Sequence, residues 1–501
     1  HLPIRPGTDA ALALGMLNVI INEEIYDREF VDCWCYGFDE LKERVQEYPA
    51  DRVAEITWIP EDKIVRAARM LAAAKPATLQ WGLAIDMTRE AIPAGQAIAA
   101  LFQITGNIDC PGGLVPPAEI MAYSGGWGRD LLPEEQEPKR LGLDRYRLLQ
   151  MGFKQSSPDV LIETMETGVP YPVQMLWVHG TNPIANMAGD APRVYRAWKN
   201  VPYTVVVDYY LTPTAVAFAD LVLPVAMSVE RDSFRSWWQP LRTLTASAGR
   251  YYECMMDEEL VFYLGKRFNP DFFNQFETVR DFLTWMIQDE GNGVPYTFED
   301  LTHKVYDYWD WNETYHKYEK GLLREDGQPG FVTATGMYEI SSPLFDVWGF
   351  DPLPHHMEPF ESPVRTPELY KEYPYIYTSG HRHIGLFHSE HRQLPTMREV
   401  HPTAIADISP EIAKEQGIKE GDWVWFENKR GKCKQQAHIA PGLMPNLVRA
   451  RHGWWFPEQE AAEPSLYGVF DSNGNNLTTM GVYGPTHYGA PYKSTLCKCY
   501  K

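Results

Sequence analysis

The densest group of chemically active side chains in this sequence lies between positions 381 and 392. Four histidines and two arginines fall within these 12 residues, and hydroxyl groups flank them. The candidate residues of this segment are Ser379, Gly380, His381, Arg382, His388, Ser389 and Arg392. Imidazole and guanidinium groups can serve a metal site or an anion site, so the spacing and the charge balance have to decide between them.

Three interpretations of this segment compete. A zinc site needs ligands at fixed offsets, and no H-E-x-x-H pattern is present. A solvated polar loop needs no ligand. An anion-binding loop would use the arginines and hydroxyls as donors, because charge-assisted hydrogen bonds contribute roughly 1.5–3 kcal/mol each. The chain has 46 basic and 67 acidic residues, a formal charge of −21, so a local cluster of donors favours a buried anionic ligand.

The middle of the chain predicts a βαβ unit near 173–225. A buried strand is expected at 173–179, a second strand at 203–207 and a third, short apolar run at 221–225, with a helix at 191–200 between the first two. A crossover of this kind makes the strands parallel, so their carboxyl ends share one edge of the sheet.

Several polar or small residues stand where those strands end. Gly180 allows a ligand to approach the backbone, Asn182 begins a turn with Pro183, and the helix beyond offers N–H groups to a phosphate. Asp208 ends the next strand, where a carboxylate can accept from ribose hydroxyls or from the N–H edge of guanine. No G-x-G-x-x-G motif is present, so NAD is not indicated. Nucleotide binding and an ordinary structural crossover both remain open.

Two later segments are less specific. Residues 451–457 (RHGWWFP) follow a predicted strand, where a run of aromatic residues most often belongs to a core. Residues 475–478 (NNLT) and the pair Tyr492-Lys493 add polar groups near the end of the chain. Neither pattern identifies a ligand by itself.

The elements that must position these residues follow an α/β pattern in the first part of the chain. Helices are expected at 8–24, with Thr8 as N-cap, at 60–74 and at 93–105, and a buried strand at 78–85. Alternating helices and apolar strands favour helices layered on a parallel sheet.

From residue 375 the pattern changes to short strands separated by Gly-containing turns, which is typical of a barrel. These strands are predicted at 375–379, 423–427, 432–439 and 447–450, with a helix at 410–416. A proline-rich stretch at 345–370 separates the two parts. The aromatic segment within 257–330 forms either an amphipathic helical cover or a substrate-facing wall.

Composition excludes several classes of protein. The 501 residues are 44% hydrophobic and 23% charged, which is typical of a globular protein. The acidic balance argues against binding to nucleic acid or to anionic membranes, and no stretch approaches the roughly 20 apolar residues of a membrane span. The seven cysteines include two C-x-C pairs and no C-x-x-C motif, and an odd number is typical of reduced thiols in a reducing compartment.

Taken in order, these motifs resemble the molybdopterin oxidoreductase (dimethyl-sulfoxide reductase) family. The segments that carry the resemblance are RPGTDAAL at 5–12, ITGNID at 104–109, PGG at 111–113, GTNP at 180–183, ADLVLP at 219–224, FHS at 387–389, HRQLP at 391–395 and HGWW at 452–455. Residues 7–68 are particularly similar to the acetylene hydratase branch, whose tungsten enzymes hydrate rather than transfer electrons. The barrel segment is instead similar to the general oxidoreductase pattern.

The resemblance implies an α/β fold with Rossmann-like, parallel-sheet cofactor-binding domains at 1–345 and a C-terminal, double-psi-like β-barrel at 346–501. It implies two molybdopterin guanine dinucleotides with molybdenum or tungsten. The cofactor contacts it assigns are Gly7, Thr8, Asp9, Gly180, Thr181, Asn182, Asp208, Thr214, Asp220, Ser379, Gly380, His381, Arg382, His388, Ser389, Arg392, His452, Asn476 and Lys493. It assigns no catalytic residue and no metal ligand within the chain.

The same resemblance implies an anaerobic oxidoreductase that transfers an oxygen atom, a hydride or a hydroxyl group on a small substrate. The chain begins at His1 as if within an element, so we expect a preceding segment with a [4Fe–4S] cluster and the metal ligand. An iron–sulfur electron-transfer subunit is the expected partner. A cytoplasmic location is expected, with periplasmic export left open. Two alternatives are a non-redox hydratase or hydroxyl transferase of the acetylene hydratase type, and a non-catalytic cofactor-binding subunit or fragment.

Overall fold

The computed structural model describes residues 1–116, 132–150, 155–186, 189–236, 241–288, 296–304, 306–308, 314–380, 385–484 and 488–501. The helices are α1 (Asp9–Asn22), α2 (Arg28–Trp34), α3 (Phe38–Arg44), α4 (Ala50–Thr57), α5 (Glu61–Ala73), α6 (Ala91–Ile104), α7 (Pro158–Thr167), α8 (Pro183–Asn186), α9 (Ala191–Trp198), α10 (Pro213–Phe218), α11 (Asp257–Phe268), α12 (Pro270–Phe273), α13 (Val279–Gln288), α14 (Phe298–Thr302), α15 (Pro343–Trp348), α16 (Pro367–Glu372), α17 (Pro395–Val400) and α18 (Pro410–Glu415). The strands are β1 (Cys35–Tyr36), β2 (Met175–His179), β3 (Tyr203–Asp208), β4 (Leu221–Pro224), β5 (Ser233–Ser236), β6 (Leu241–Thr245), β7 (Tyr306–Tyr308), β8 (Tyr338–Glu339), β9 (Tyr375–Ser379), β10 (Ile405–Ile408), β11 (Trp423–Asn428), β12 (Gly431–Ile439), β13 (Leu447–Ala450) and β14 (Thr495–Tyr500).

The largest apolar core surrounds α1. Leu14, Leu17 and Ile20 of this helix are fully buried, and α1 packs against α4, α5 and α6. The helices predicted at the positions of α1, α5 and α6 are confirmed, with small differences at their ends. Thr8 does not cap α1 with its side chain, because its hydroxyl donates to the carbonyl oxygen of Arg5 at 2.7 Å.

The strand predicted at 78–85 is wrong. These residues form a loop and turns, and Trp81 and Leu83 are 42% and 56% exposed. A short apolar run between two helices does not by itself distinguish a strand from a loop that borders a cavity.

Strands β2, β3 and β4 form a parallel sheet in that order, which confirms the predicted βαβ unit. One face of the sheet packs against α7 and α9 through Val178 and Val206. The expectation that the first strand is buried is wrong, since Met175 and Trp177 of β2 are 48% and 41% exposed. Within the described residues, β2 is an edge strand of this sheet, since it has a neighbouring strand on one side only. Its side chains are therefore less covered than those of the central strand β3.

Helices α11 and α13 enclose a cluster of aromatic rings. Phe262, Phe276 and Phe282 are buried, and the ring of Trp285 stacks on Phe282 at 6.0 Å between centroids. This part of the aromatic segment is therefore a helical cover with its own core. The segment that could form a substrate-facing wall includes residues 305–313, and the side chains of these residues lie outside the described part of the structure.

Six strands close into a barrel in the order β10-β12-β11-β14-β9-β13. Tyr377, Phe426 and Val448 are fully buried in its core. The four predicted strands are confirmed as β9, β11, β12 and β13, and the predicted helix as α18. The domain limits 1–345 and 346–501 stay a prediction. In the described part of the chain, no helix is both long and apolar enough to cross a bilayer.

Candidate functional site

A cavity of about 490 Å³ lies between the α/β region and the barrel. Its walls come from the loop before α6, the end of α8, the ends of β9 and β13, and the segment before β14. The described lining residues are Leu83, Ala84, Met87, Asn186, Ser379, Gly380, His388, His452, Asn475, Tyr492 and Lys493. The structure therefore brings together Ser379, Gly380, His388, His452 and Lys493, which the sequence places in three separate segments.

Two histidines meet on one wall of this cavity. Nδ1 of His388 lies 2.9 Å from Nε2 of His452. One of these nitrogens must donate and the other accept, so a single proton lies between them. A Cβ on Gly453 would lie 3.0 Å from the carbonyl oxygen of His388, so a glycine there allows the two segments to approach this closely.

The opposite corner is built from the end of β9 and the segment before β14. The hydroxyl of Ser379 donates to the carbonyl oxygen of Tyr492 at 2.8 Å, and the ammonium group of Lys493 donates to the carbonyl oxygen of Ser379. Gly380 has a φ of +124°, and a Cβ at this position would lie 2.5 Å from Nζ of Lys493. The missing side chain of Gly380 therefore leaves room for the lysine ammonium group at the cavity wall.

Amide side chains tie α8 to the barrel. Nδ2 of Asn186 donates to Oγ of Ser389 at 3.2 Å. The side-chain amides of Asn473 and Asn475 donate to the carbonyl oxygen of Ala185 at 2.8 and 3.1 Å. These bonds hold the cavity walls from the two parts of the chain in one arrangement.

Cationic side chains lie at and near the described lining of the cavity, in a protein that is acidic overall. Its described lining includes Lys493 and no carboxylate. Arg392 and Arg451, in the segments that supply the two histidines, are only 3% and 5% exposed. Burial, with Arg398 and Arg451 nearby, lowers the pKa of Arg392 to about 9, and burial lowers the pKa of Arg451 to about 10. Such cations are suited to a polyanionic ligand.

The guanidinium of Arg392 also has unused bonding capacity. Its Cζ lies 4.7 Å from the ring centroid of Trp454, a cation–π arrangement. Among the described residues, its buried Nε has no hydrogen-bond partner. A buried donor without a partner costs stability, so it marks a position where a ligand acceptor would be stabilising.

A second group of polar residues, one of which has an atom without a hydrogen-bond partner among the described residues, lies at the carboxyl edge of the β2–β3–β4 sheet. Oδ1 of Asn182 accepts from Oγ1 of Thr214 at 2.7 Å, while its buried Nδ2 has no partner among the described residues. Gly180 has a φ of +60° and open space where a Cβ would lie. Asp208 accepts from the backbone N–H of Tyr209 at 2.7 Å, and burial raises the pKa of its carboxyl group. Thr181, beside Gly180, is exposed.

Some predicted contacts lie elsewhere. Asp220 precedes β4 and accepts from the backbone N–H of Thr204 at 2.8 Å, so it sits at the amino edge of the sheet, opposite Asp208. Asn476 donates to carbonyl oxygens within the barrel region, and its neighbour Asn475 lines the cavity instead. His381 and Arg382 lie outside the described residues.

Gly7, Thr8 and Asp9 lie at the start of α1 and are not among the described lining residues. Gly7 has a φ of +78°, and a Cβ there would lie 2.7 Å from Cγ of Pro359 and 3.1 Å from Oγ of Ser494. Thr8 is fully buried, and burial raises the pKa of Asp9. The backbone of this segment therefore packs behind the wall that carries Lys493.

Beside this segment lies a buried ionic network that the sequence analysis missed. Arg5 donates to both carboxylate oxygens of Glu358, at 2.5 and 2.9 Å. The ring of His356 lies between Glu90, at 2.9 Å, and Glu358, at 3.2 Å. Burial raises the pKa of Glu90 to about 7. No spacing in the sequence indicates these partners, because the three segments are far apart in the chain.

Other lining residues had weak signals or none. Asn475 and Tyr492 lie in segments that the sequence analysis named as polar without assigning them a ligand, whereas Asn186 and the 83–87 loop had no polar pattern to indicate a site. Among the described residues, which exclude His381 and His383, no three His, Cys, Asp or Glu side chains converge as a metal site.

The parallel sheet and most of the barrel lie in regions of the chain that match known protein families. Residues 1–236 match the family model of molybdopterin oxidoreductase, and residues 375–496 match that of the molydopterin dinucleotide binding domain. The chain belongs to the molybdopterin oxidoreductase family.

Individual relatives are similar over most of this chain. Acetylene hydratase from Syntrophotalea acetylenica is 32% identical over 92% of this chain and 64% of its own length. Dopamine dehydroxylase from Eggerthella lenta is 29% identical over 85% of this chain and 49% of its own length. Dimethyl sulfoxide reductase DmsA from Escherichia coli is 26% identical over 100% of this chain and 65% of its own length. The chain thus spans about half to two thirds of the length of these relatives.

A solved structure confirms the fold. The structure of acetylene hydratase from Pelobacter acetylenicus matches 100% of this chain and 71% of its own, with a TM-score of 0.87 and 29% identity. The predicted α/β fold with a C-terminal barrel is therefore confirmed.

Proposed function

We propose that the chain is the C-terminal part of the catalytic subunit of a molybdenum or tungsten enzyme that acts on a small substrate. The reaction proposed is the transfer of an oxygen atom, a hydride or a hydroxyl group. The observation that carries the proposal is the cavity with cationic and neutral donors and no carboxylate in its described lining. Its walls come from both regions that match the family models.

The residues present fit a molybdopterin guanine dinucleotide. The unpartnered buried Nε of Arg392 and Nδ2 of Asn182 are donors that a phosphate or pterin oxygen would satisfy. Lys493, in the space left by Gly380, would pair with phosphate oxygens. Asp208, at the carboxyl edge of the sheet, would accept from the N–H groups of guanine.

When bound, the cofactor supplies a metal held by dithiolene sulfurs, which carries the redox or Lewis-acid chemistry. The chain binds and orients it, and Leu83, Ala84 and Met87 present apolar surface that limits water in the cavity. The proton between Nδ1 of His388 and Nε2 of His452 lies at the cavity wall, where it can be held or released to a ligand. Two dinucleotides, a preceding [4Fe–4S] cluster and an electron-transfer subunit complete the redox form of this proposal.

A hydratase is the second candidate function. It is favoured by the TM-score of 0.87 with an acetylene hydratase over the whole chain. The two functions differ in electron balance, because hydration needs no electron acceptor. Product formation from acetylene without any acceptor would support the hydratase, and a strict requirement for an acceptor or donor dye would support the oxidoreductase.

The cofactor assignment is tested on the complete natural protein, purified without oxygen. We expect about two GMP per metal atom after hydrolysis of the extracted cofactor. Asp208→Asn removes the charged acceptor for guanine, which weakens cofactor binding roughly ten- to a hundredfold, so metal and GMP content should fall together. The matched control is Asp220→Asn, at the opposite edge of the same sheet, which should retain its cofactor. One GMP or none per metal, or full occupancy in Asp208→Asn, would contradict the assignment.

A further inference from the structure

A second, smaller cavity of about 110 Å³ lies at the first turn of α6. Apolar side chains make up most of its wall, among them Ile92, Phe345, Phe350 and Met357. An apolar cavity of about 150 Å³ is known to hold benzene. In proportion, the present cavity has room for about four non-hydrogen atoms, such as the carbon chain of a short organic acid.

One cation on this wall lacks a counter-charge. The buried Nε of Arg89 has no hydrogen-bond partner, and no carboxylate among the described residues pairs with its guanidinium. Burial and the nearby Arg365 both lower the pKa of Arg89. The half-buried side chain of Arg89 thus has a desolvated Nε donor and faces a like charge without a compensating anion, so an acceptor beside it would be stabilising.

The other polar groups on the wall already have partners within the protein. Asp351 pairs with Arg44 at 2.9 Å, and Nδ1 of His355 donates to the carbonyl oxygen of Leu353 at 3.1 Å. Gln96 donates to the carbonyl oxygen of Pro352 at 3.4 Å. The hydroxyl of Tyr488 donates to Oδ1 of Asp86 at 3.4 Å, so Arg89 is the polar side chain of the described lining that is available to a ligand.

We propose that this cavity binds a small organic anion, with a carboxylate on Arg89 and a short apolar body between Phe345 and Phe350. The planar guanidinium fork matches a carboxylate, and the aromatic walls remove apolar surface from water. The site is separate from the cofactor cavity: the loop residues Leu83 to Met87 line the larger cavity, and Arg89 and Ile92 line the smaller one. The proposal is tested by binding alone, so it stands or falls independently of the proposed reaction.

The first test compares two probes of equal size on the unaltered chain. Butyrate carries the carboxylate, and butyramide is its neutral analogue. Ligand-observed NMR should give saturation transfer and a measurable dissociation constant for butyrate, with at least tenfold weaker binding of butyramide. Equal binding of the two probes, or no binding of butyrate, would overturn the proposal. This comparison needs no variant, so it does not depend on the folding of a mutant.

The second test assigns the binding to Arg89. Arg89→Gln should weaken butyrate binding roughly ten- to a hundredfold, the range for a lost charge-assisted hydrogen bond. Arg89→Lys, which keeps the charge, should restore part of it. The matched control is Arg66→Gln, which removes an exposed arginine on α5 and should leave binding unchanged. Unchanged butyrate binding in Arg89→Gln would refute the site. Displacement of butyrate by GMP would also refute it, because butyrate would then be bound in the cofactor cavity.

Discussion

The buried ion pair between Arg5 and Glu358 gives a stability prediction that follows directly from the geometry. Both side chains are largely removed from solvent, at 2% and 19% exposure, and they share two hydrogen bonds. Glu358→Gln keeps the size of the side chain and removes its charge. It leaves the buried guanidinium of Arg5 without a counter-ion, which is more costly than the loss of an exposed pair.

The magnitude follows from the protonation equilibrium of Glu358. Burial opposes ionisation, but hydrogen bonds from Arg5 and His356 lower the pKa of Glu358 from 4.5 to about 2. A pKa lowered from 4.5 to about 2, at about 1.36 kcal/mol for each tenfold change in the ionisation constant, corresponds to about 3 kcal/mol. This agrees with the roughly 3–5 kcal/mol expected when one partner of a buried pair is removed. Since the folded-state pKa is lowered, this stability is present above pH 4.5 and lost as the pH falls towards 2.

The assay is urea unfolding at pH 7, followed by circular dichroism and tryptophan fluorescence. The free energy of unfolding of Glu358→Gln should be about 3 kcal/mol below that of the unaltered chain, and the difference should shrink as the pH is lowered towards 3. The matched control is Glu368→Gln, because Glu368 forms an exposed pair with Lys371 and should contribute less than about 1 kcal/mol. A loss in Glu358→Gln no larger than in the control would refute the reasoning.

Two further predictions concern the same region. Burial opposes the charged form of His356, but its bonds to Glu358 and Glu90 raise its pKa from 6.5 to about 9. Its stabilising effect is therefore complete below pH 6.5 and lost as the pH rises through 9, and thermal unfolding of His356→Gln should show a smaller decline over that interval. Gly7→Ala should lower the free energy of unfolding by about 1 kcal/mol because of the positive φ at this position. It should lower it by about 1–3 kcal/mol more because the added Cβ would meet Cγ of Pro359. The control is Gly168→Ala, since Gly168 has a φ of +73° and open space where a Cβ would lie. In urea unfolding it should lose only the roughly 1 kcal/mol that the positive φ accounts for. Equal losses in the two variants would contradict the packing argument.

Much of the secondary structure could be predicted because it depends on short-range patterns. The 3–4 spacing of Leu12, Met16, Val19 and Ile20 predicted α1, although Leu12 and Met16 are only partly buried and Leu14, Leu17 and Ile20 are the fully buried residues. The alternation in β11 and β12, with Gly431 at the turn between them, is equally local. The strands β10 and β14 were missed because their register depends on partners: β10 pairs in parallel with β12, and β14 closes the barrel between β11 and β9.

The candidate site shows the same division. The sequence indicated donors such as His388 and Lys493 from their residue types, but it gave no distance between them. Only the closure of the barrel brings His452 within 2.9 Å of His388 and places Lys493 beside Gly380. Asp220 illustrates the opposite outcome: the family resemblance assigned it to the cofactor together with Asp208, and the direction of the parallel strands put the two at opposite edges.

The sequence by itself determined the family, the helices and most barrel strands, because motifs and periodicity are properties of neighbouring residues. Only the tertiary structure decided which charged groups are paired and which are left without a partner. Arg5 has Glu358 from 353 positions away, whereas Arg89 has no carboxylate among the described residues. The free energy of a buried charge depends on the groups that packing brings within a few ångströms, and no spacing along the chain specifies them.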